Sequence, residues 1–385
     1  MRNWLSKNRI TLIVLAVCIA VFAGLLAYAQ STKENDESTE ASYTSYQTAK
    51  VVQVVSEELT EQELYEGTEV GSQQLLIEIT SGEYKGLTMS AINYVGALYG
   101  THLYAGDKIV VAIYISDGEV HSITVYEYDR SLASIILGLV FIGITVLIGR
   151  RKGAQSLLGL AFTIVCLIWI LIPLLFAGAP TILTTLLICI YVAVVTYTLL
   201  EGVTRKTVCA MIGTVLGLLF AVGFGLAAQN LFKVHGMRMG DYVDALLQLK
   251  LSGSQIELKG MLIGGMIISS LGAIMDVAMS IASSVQELVS VNPELNFKDI
   301  VKSGMNIGRD MIGTMTNTLI LAFAGSSFLL VLYIYSLNVP AYELLSSTLV
   351  ATQLVHGISS SLGVILSVPL TVVIAAAMFA KRGEK

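Results

Sequence analysis

Two short stretches hold the residue types and spacings that could do chemistry. "GAIMDVAMSIASSVQE", Gly272 to Glu287, carries one carboxylate, Asp276, inside an apolar run. At helical spacing, Ser269, Gly272, Asp276, Ser280, Ser283 and Glu287 fall on one face, a small and polar stripe on an oily helix. "GRDMIGTMTNTLILAFAG", Gly308 to Gly325, places Asp310, Thr314 and Asn317 on one face, with Arg309 beside them. A carboxylate, an amide and two hydroxyls suit an ion or a proton, which is the default reading for an intramembrane acid. Two other readings compete. One is structural glue, with a neutral Asp276 hydrogen-bonding across helices. The other is aspartyl proteolysis, which needs two facing acids and has only Asp310 as a second.

The elements that position these residues follow from composition. Hydrophobic residues make up 55% of the 385, charged residues 13%, and mean hydropathy is +0.75. Soluble domains carry roughly 25% charged residues, so the chain reads as a polytopic α-helical membrane protein. Apolar runs predict about eight spans: Ile10–Ala29, Leu132–Gly149, Ala154–Phe176, Ile182–Leu200, Val208–Ala228, Gly260–Ser283, Ile312–Tyr335 and Leu362–Ala380. Residues 1–29 are an anchor, or a signal peptide ending at Ala27-Tyr28-Ala29. Tyr342–Ile358 reads as a surface or re-entrant helix, punctuated by Pro340 and Gly357. Pro173 and Pro369 lie inside spans, where a proline either breaks a helix at a binding site or is a tolerated kink.

Charge divides the chain. Residues 30–130 carry 17 acidic and 5 basic residues. The segment shows no basic stripe for nucleic acid. Residues 30–45 form an acidic linker. Residues 46–130 are β-branched and alternating, with turn signals at Ser81-Gly82, Gly106-Asp107 and Asp117-Gly118, which predicts a small extracytoplasmic antiparallel barrel of OB type. Residues 131–385 form a seven-helix membrane domain. Basic "GRRKG", "EGVTRK" and the terminal "KRGEK" fall on the side of Arg2, Lys7 and Arg9, so both termini are placed in the cytoplasm. The loop at 229–259, with Lys233, Arg238, Lys250 and Lys259, is a mild exception.

Other chemistries find little. Cys18, Cys166, Cys189 and Cys209 lie in or beside apolar runs without a CxxC pair and read as small fillers. His102, His121, His235 and His356 are scattered, so neither metal nor other cofactor is expected. There is no HExxH, no Gly-x-Ser-x-Gly turn and no phosphate loop. An enzyme is not expected.

"LGAIMDVAMSIASSVQEL" followed by "SGMNIGRDMIGTMTNTLILAFAGSS", with "LIPLLFAGAP" and "VILSVPLT", resembles the YibE/F-like multi-membrane-span family from about Ser131 onward. The resemblance implies a bacterial cytoplasmic-membrane protein, described as a permease of unassigned substrate. Its members are often encoded in pairs, so a paired relative or a homo-oligomer is the implied partner beside the bilayer. It carries over to Gly272, Asp276, Ser283, Glu287, Gly308, Arg309, Asp310, Gly313, Asn317, Gly325 and Pro369. In "TQLVHGISSSLG" the sequence departs, with Gln353 and His356 where an acid and an arginine are expected. The expectation is then a permease-like, ion- or proton-coupled transporter. Asp276, Asn317, Ser280 and Thr314 would form its binding or coupling set, and Glu287, Arg309 and Asp310 a cytoplasmic gate. The alternative is a non-transporting assembly or regulatory subunit acting through its extracytoplasmic domain. Helix geometry puts Asp276 roughly 10 Å and Asn317 roughly 9 Å inside the cytoplasmic end, so the two are expected to meet.

Overall fold

The computed structural model describes residues 9–33, 42–62, 68–96, 99–116, 119–234, 243–251 and 253–380. Arg2, Lys7, the Asp117-Gly118 turn, His235, Arg238 and "KRGEK" lie outside them. The chain divides into two compact units, Asp36–Leu147 and Met1–Asn35 with Ile148–Lys385.

In the first unit, β1 (Ser42–Gln62), β2 (Thr68–Ile79), β3 (Thr88–Val95), β4 (Lys108–Ser116) and β5 (Glu119–Tyr128) close a barrel in the order β1-β2-β3-β5-β4. β3 and β5 pair in parallel at Ile92 and Thr124, and the other pairs are antiparallel. This is the five-stranded Greek-key arrangement of OB type. Alternation places Val51, Leu75, Ile77, Ile109, Val111 and Ile113 inside. β1 is not short: it starts at Ser42, inside the expected linker, and runs 21 residues. Bulges near Val51 and Val54 let it curl so that it pairs with both β2 and β4.

Helix α1 (Arg9–Lys33) packs on the second unit. The Tyr191 hydroxyl donates to the Cys18 carbonyl at 2.6 Å, and the Val203 amide to Thr11 Oγ1 at 3.2 Å. The helical run from Ser131 to Phe176 comprises α2 (Ser131–Cys166), a π-helical stretch (Leu167–Leu171) and α3 (Ile172–Phe176). The two spans expected here lie on either side of Arg150 within this run. At 46 residues it would be roughly 69 Å long if straight. Arg150 (φ 48, ψ −130), in the basic "GRRKG" segment, breaks its helical geometry. The π stretch sits just before Pro173, whose ring removes a backbone donor.

Then follow α4 (Thr181–Glu201), α5 (Arg205–Phe232), α6 (Val243–Leu251), α7 (Met261–Val291), α8 (Phe297–Ser326), α9 (Phe328–Ser336), α10 (Ala341–Ser346) and α11 (Thr348–Phe379). Among the described residues, five helical runs are long and apolar enough to cross a membrane, or six if α8 and α9, bent by 61°, make one span. The difference from the eight spans expected from sequence lies in two places. The Ser131–Phe176 run counts once although the Arg150 kink falls between the two spans expected there, and the apolar stretch of α1 that counts, Ala16–Tyr28, is shorter than a span. One further expectation is corrected. Tyr342–Ile358 is not a separate surface helix: Tyr342 lies in α10, and from Thr348 the chain is already in α11. Of the two alternatives for Pro369, a break or a tolerated proline, the structure has the second: α11 continues through it.

α5, α7 and α11 form the packed heart of this unit. Small residues set their spacing. A Cβ at Gly213 would lie 2.0 Å from Thr371 Oγ1, and one at Gly217 2.9 Å from Ser367 Cβ and Ile274 Cγ2. The Tyr197 hydroxyl on α4 donates to the Met275 carbonyl of α7 at 2.8 Å and lies 2.7 Å from Thr214 Oγ1 of α5. α8 is an outlier. Its buried residues are Ile300, Gly304 and Gly308.

Candidate functional site

Asp276 sits midway along α7, 15 residues from each of its ends, Met261 and Val291. That is roughly 22 Å from either end at 1.5 Å per residue. The sequence estimate was shallower because it ended the helix at Ser283, whereas the helix runs on to Val291. α7 buries Ile267, Ile274, Ile281 and Val285 against its neighbours. The opposite face holds the polar stripe. Gly272, Asp276 and Glu287 are exposed, and Ser269, Ser280 and Ser283 are half-buried. Periodicity thus grouped the stripe correctly, but its direction differs from expectation. Asp276 is turned away from the packed interior of its own chain.

The same holds on α8. Gly304 and Gly308 face the core. A Cβ on Gly304 would meet Val285 at 3.2 Å and Val372 at 2.9 Å, and one on Gly308 would meet Ile281 at 3.3 Å and Val368 at 2.4 Å. These contacts pair residue 304 with 285 and 308 with 281, which fixes an antiparallel register. Extended along both helices, it puts Lys302 level with Glu287, Gly313 with Asp276, and Asn317 with Gly272. Asn317 is nine residues from Gly308, half a revolution around the helix, and so points away from the core. Asp310, Gly313, Thr314 and Asn317 are all exposed.

Asp276 and Asn317 are therefore not brought together. They sit about one helical turn apart in depth, and among the described residues no hydrogen bond or ion pair links them. The gate residues are also separate. Arg309 Nη1 donates to Asn306 Oδ1 at 3.3 Å rather than meeting Asp310 or Glu287. The Thr314 hydroxyl bonds backward to the Asp310 and Met311 carbonyls, both at 3.2 Å.

The two residues that depart from the expected pattern do make polar contacts. His356 Nε2 lies 2.8 Å from Ser269 Oγ, at the first position of the α7 stripe, and its ring packs 4.8 Å from Phe323. The Ser327 hydroxyl donates to Gln353 Oε1 at 3.2 Å, where α8 bends into α9. Phe323, Ser327, Val331, Gln353 and Gly357 line a groove of about 290 Å³ at that bend. Ser269 and His356 are 87 positions apart, so no local pattern joins them. The only cue was two polar residues, Gln353 and His356, one turn apart in an apolar run.

Comparison with family models matches the YibE/F-like protein model over residues 137–381. The chain belongs to the YibE/F-like family. The match takes in every helix described in this section, from α2 onward, and so includes both polar stripes and the Gln353–His356 turn. Comparison with curated proteins and with solved structures returned no match. The family and the helices together make this a multi-helix, membrane-type YibE/F-like protein.

The barrel holds a second polar cluster. Gln73 and Asn93, both buried, tie the loop after β3 to the sheet. Asn93 Nδ2 donates to Gln73 Oε1 at 2.9 Å and to the Thr101 carbonyl at 2.9 Å, and Gln73 Nε2 donates to the Leu103 carbonyl at 3.1 Å. Gly100, at φ +72, makes the turn, and a Cβ there would lie 1.8 Å from the Tyr94 carbonyl oxygen. The loop presents His102 between Glu69, 2.5 Å from Nδ1, and Glu57, 3.4 Å from Nε2. A groove of about 460 Å³ runs beside it, lined by Val54, Glu57, His102 and Tyr104.

Proposed function

We propose that this YibE/F-like protein is a permease-like membrane transporter, not an enzyme, coupled to an ion or a proton through Asp276. The supporting observation is the place of Asp276: the midpoint of a membrane-length helix, on a polar face, with no hydrogen-bond or ion-pair partner among the described residues. A carboxylate at the centre of a spanning helix costs about 2.5–3.5 kcal/mol on insertion scales, and such a cost is met at substrate and ion pathways. In this reading Asp276 binds and releases the coupling ion. Asn317, Ser280 and Thr314 supply neutral oxygen and amide ligands, and Glu287, Arg309 and Asp310 act nearer the cytoplasmic end. Residues 30–130 lie outside the cytoplasmic membrane and the C-terminus inside.

The test is flux in proteoliposomes carrying an internal pH dye, under imposed gradients of H⁺, Na⁺ or K⁺. Wild-type protein should dissipate at least one gradient faster than empty vesicles, and Asp276→Asn should abolish that difference while eluting as folded protein. Equal flux from Asp276→Asn would sink the reading.

A second reading is favoured by the barrel surface, where Tyr46, Tyr94, Tyr104, Tyr114, Tyr126 and Tyr128 are exposed. Aromatic side chains of this kind are enriched in protein contacts. In this reading the chain is an assembly or regulatory subunit acting through its barrel. Deleting residues 46–128 distinguishes the two: a deletion that loses a co-purifying protein but keeps Asp276-dependent flux leaves transport standing.

A further inference from the structure

The outward polar faces of α7 and α8 complement one another at matched depth, and one chain cannot join them because each points away from its own core. We propose that a second copy of this chain docks in the membrane with its α8 laid along the α7 stripe of the first, so that Gly313 of one copy lies level with Asp276 of the other and Asn317 comes within about one helical turn of it. The part of this concerning a shared transport site rests on the transporter reading. The docking itself does not.

Three observations carry it. First, the charges are self-complementary. Glu287 on α7 and Lys302 on α8 are both exposed, lie at the same level, and make no ion pair among the described residues. A two-fold axis along the membrane normal preserves depth, so it brings Glu287 of each copy to the level of Lys302 of the other, twice over. An isologous interface requires this kind of self-complementarity.

Second, both stripes are built for close approach. A Cβ at Gly272 or at Gly313 would meet nothing within 4 Å in its own chain. These glycines lie at the level of Asn317 and of Asp276, and small residues that let backbones come together mark helix interfaces in membranes.

Third, the polar groups at these positions cannot satisfy themselves. Threonine and serine hydroxyls bond back to their own helix, as Thr314 and Thr318 do here, at 3.2 and 2.9 Å. The Asp276 carboxylate and the Asn317 amide have no such bond. Facing hydrocarbon they would go unpaired, and across two copies, one turn apart, their side chains extend toward each other as acceptor and donor. Lipid is therefore the costly neighbour and a second copy the matched one. The polar nook expected within one chain becomes a site completed by two.

The test is cysteine cross-linking in native membranes between two co-expressed copies with different tags. The native cysteines are all buried and stay in place. One copy carries Asp276→Cys and the other Asn317→Cys. An independent pair carries Glu287→Cys and Lys302→Cys. Leu187→Cys, exposed on an apolar face of α4, is the control.

A reducible band carrying both tags from either stripe pair, about tenfold stronger than from the control, supports the proposal. Glu287→Lys should lower the dimeric fraction about tenfold, and adding Lys302→Glu should restore it. Equal bands from the control, no doubly tagged band from either pair, or cross-links only to a protein of different mass would each overturn docking by a second copy. The band reads association whether or not the chain transports. Failure here leaves the flux result standing, and failure of flux leaves the dimer standing.

Discussion

The packed heart of the helical unit and the open faces of α7 and α8 use similar small and polar residues to opposite ends. In the heart, the buried polar residues are hydroxyls, apart from Gln229 near the end of α5. Ser270 bonds to the Ile267 carbonyl, Ser367 to Val364, Thr352 to Thr348 and Ser361 to Gly357, each within its own helix. Such groups can be buried cheaply because they bring their own acceptor. What the open faces add to hydroxyls such as Ser280 and Thr314 is a carboxylate, an amide, lysine and arginine. None of these can be satisfied by its own turn of backbone in this way, so each is turned toward whatever lies beyond the chain. Which polar group a helix carries decides which way that face points.

The sharpest way to break this comparison is through glycine. Gly213 and Gly217 belong to the heart, Gly272 and Gly313 to the open faces. Gly213→Val or Gly217→Leu drives a side chain into Thr371 or Ser367 and should cost at least about 1–3 kcal/mol by overpacking. The check is loss of the monodisperse peak and of thermal stability in detergent. Gly272→Val and Gly313→Val have room in their own chain and should leave the melting temperature within a few degrees of wild type. If all four behave alike, the division is wrong.

A smaller effect is expected at Tyr197, which links α4, α5 and α7. Tyr197→Phe removes two hydrogen bonds and leaves the Met275 carbonyl without that donor. Thermal unfolding should show a loss of about 1–3 kcal/mol. Asp276→Asn should show much less on the same assay, because its side chain makes no such bond.

The comparison also explains what could be read from sequence. The stripe from Ser269 to Glu287 was legible because a 3.6-residue period sorts residues onto faces. Whether that face turns inward was not, because periodicity says nothing about what lies opposite, and a buried seam and an exposed one share the same pattern. The start of α8 at Phe297 was hidden by Lys298, Asp299 and Lys302, which made the first turns look like a loop. Its N-cap, Asn296 accepting from the Asp299 amide at 3.0 Å, was visible in principle. The barrel was legible from β-branched alternation, although the length of β1 was not, since bulges leave no clear sequence mark.

The smallest effect lies outside the spans, at the end of the barrel. Asp129 accepts a hydrogen bond from the Ser131 amide at 2.9 Å. Bonds from the Ser131 hydroxyl and amide hold its carboxyl below the usual carboxylate range. A lowered folded-state pKa contributes stability above the unfolded value, about 3.9, and loses it as pH falls further. Asp129→Ala should cost about 0.5–1 kcal/mol at neutral pH, as a lost helix cap does. The variant and wild type should converge in melting temperature at low pH.

The central claim is that the face bearing Asp276 does not look onto hydrocarbon. Spin labels at Asp276→Cys and Leu187→Cys, in the full-length protein in a lipid bilayer, test it by collision with dissolved oxygen, which concentrates among the acyl chains. The account predicts a restricted label at position 276 with oxygen accessibility well below that at position 187. Equal, high oxygen accessibility at both positions would contradict it.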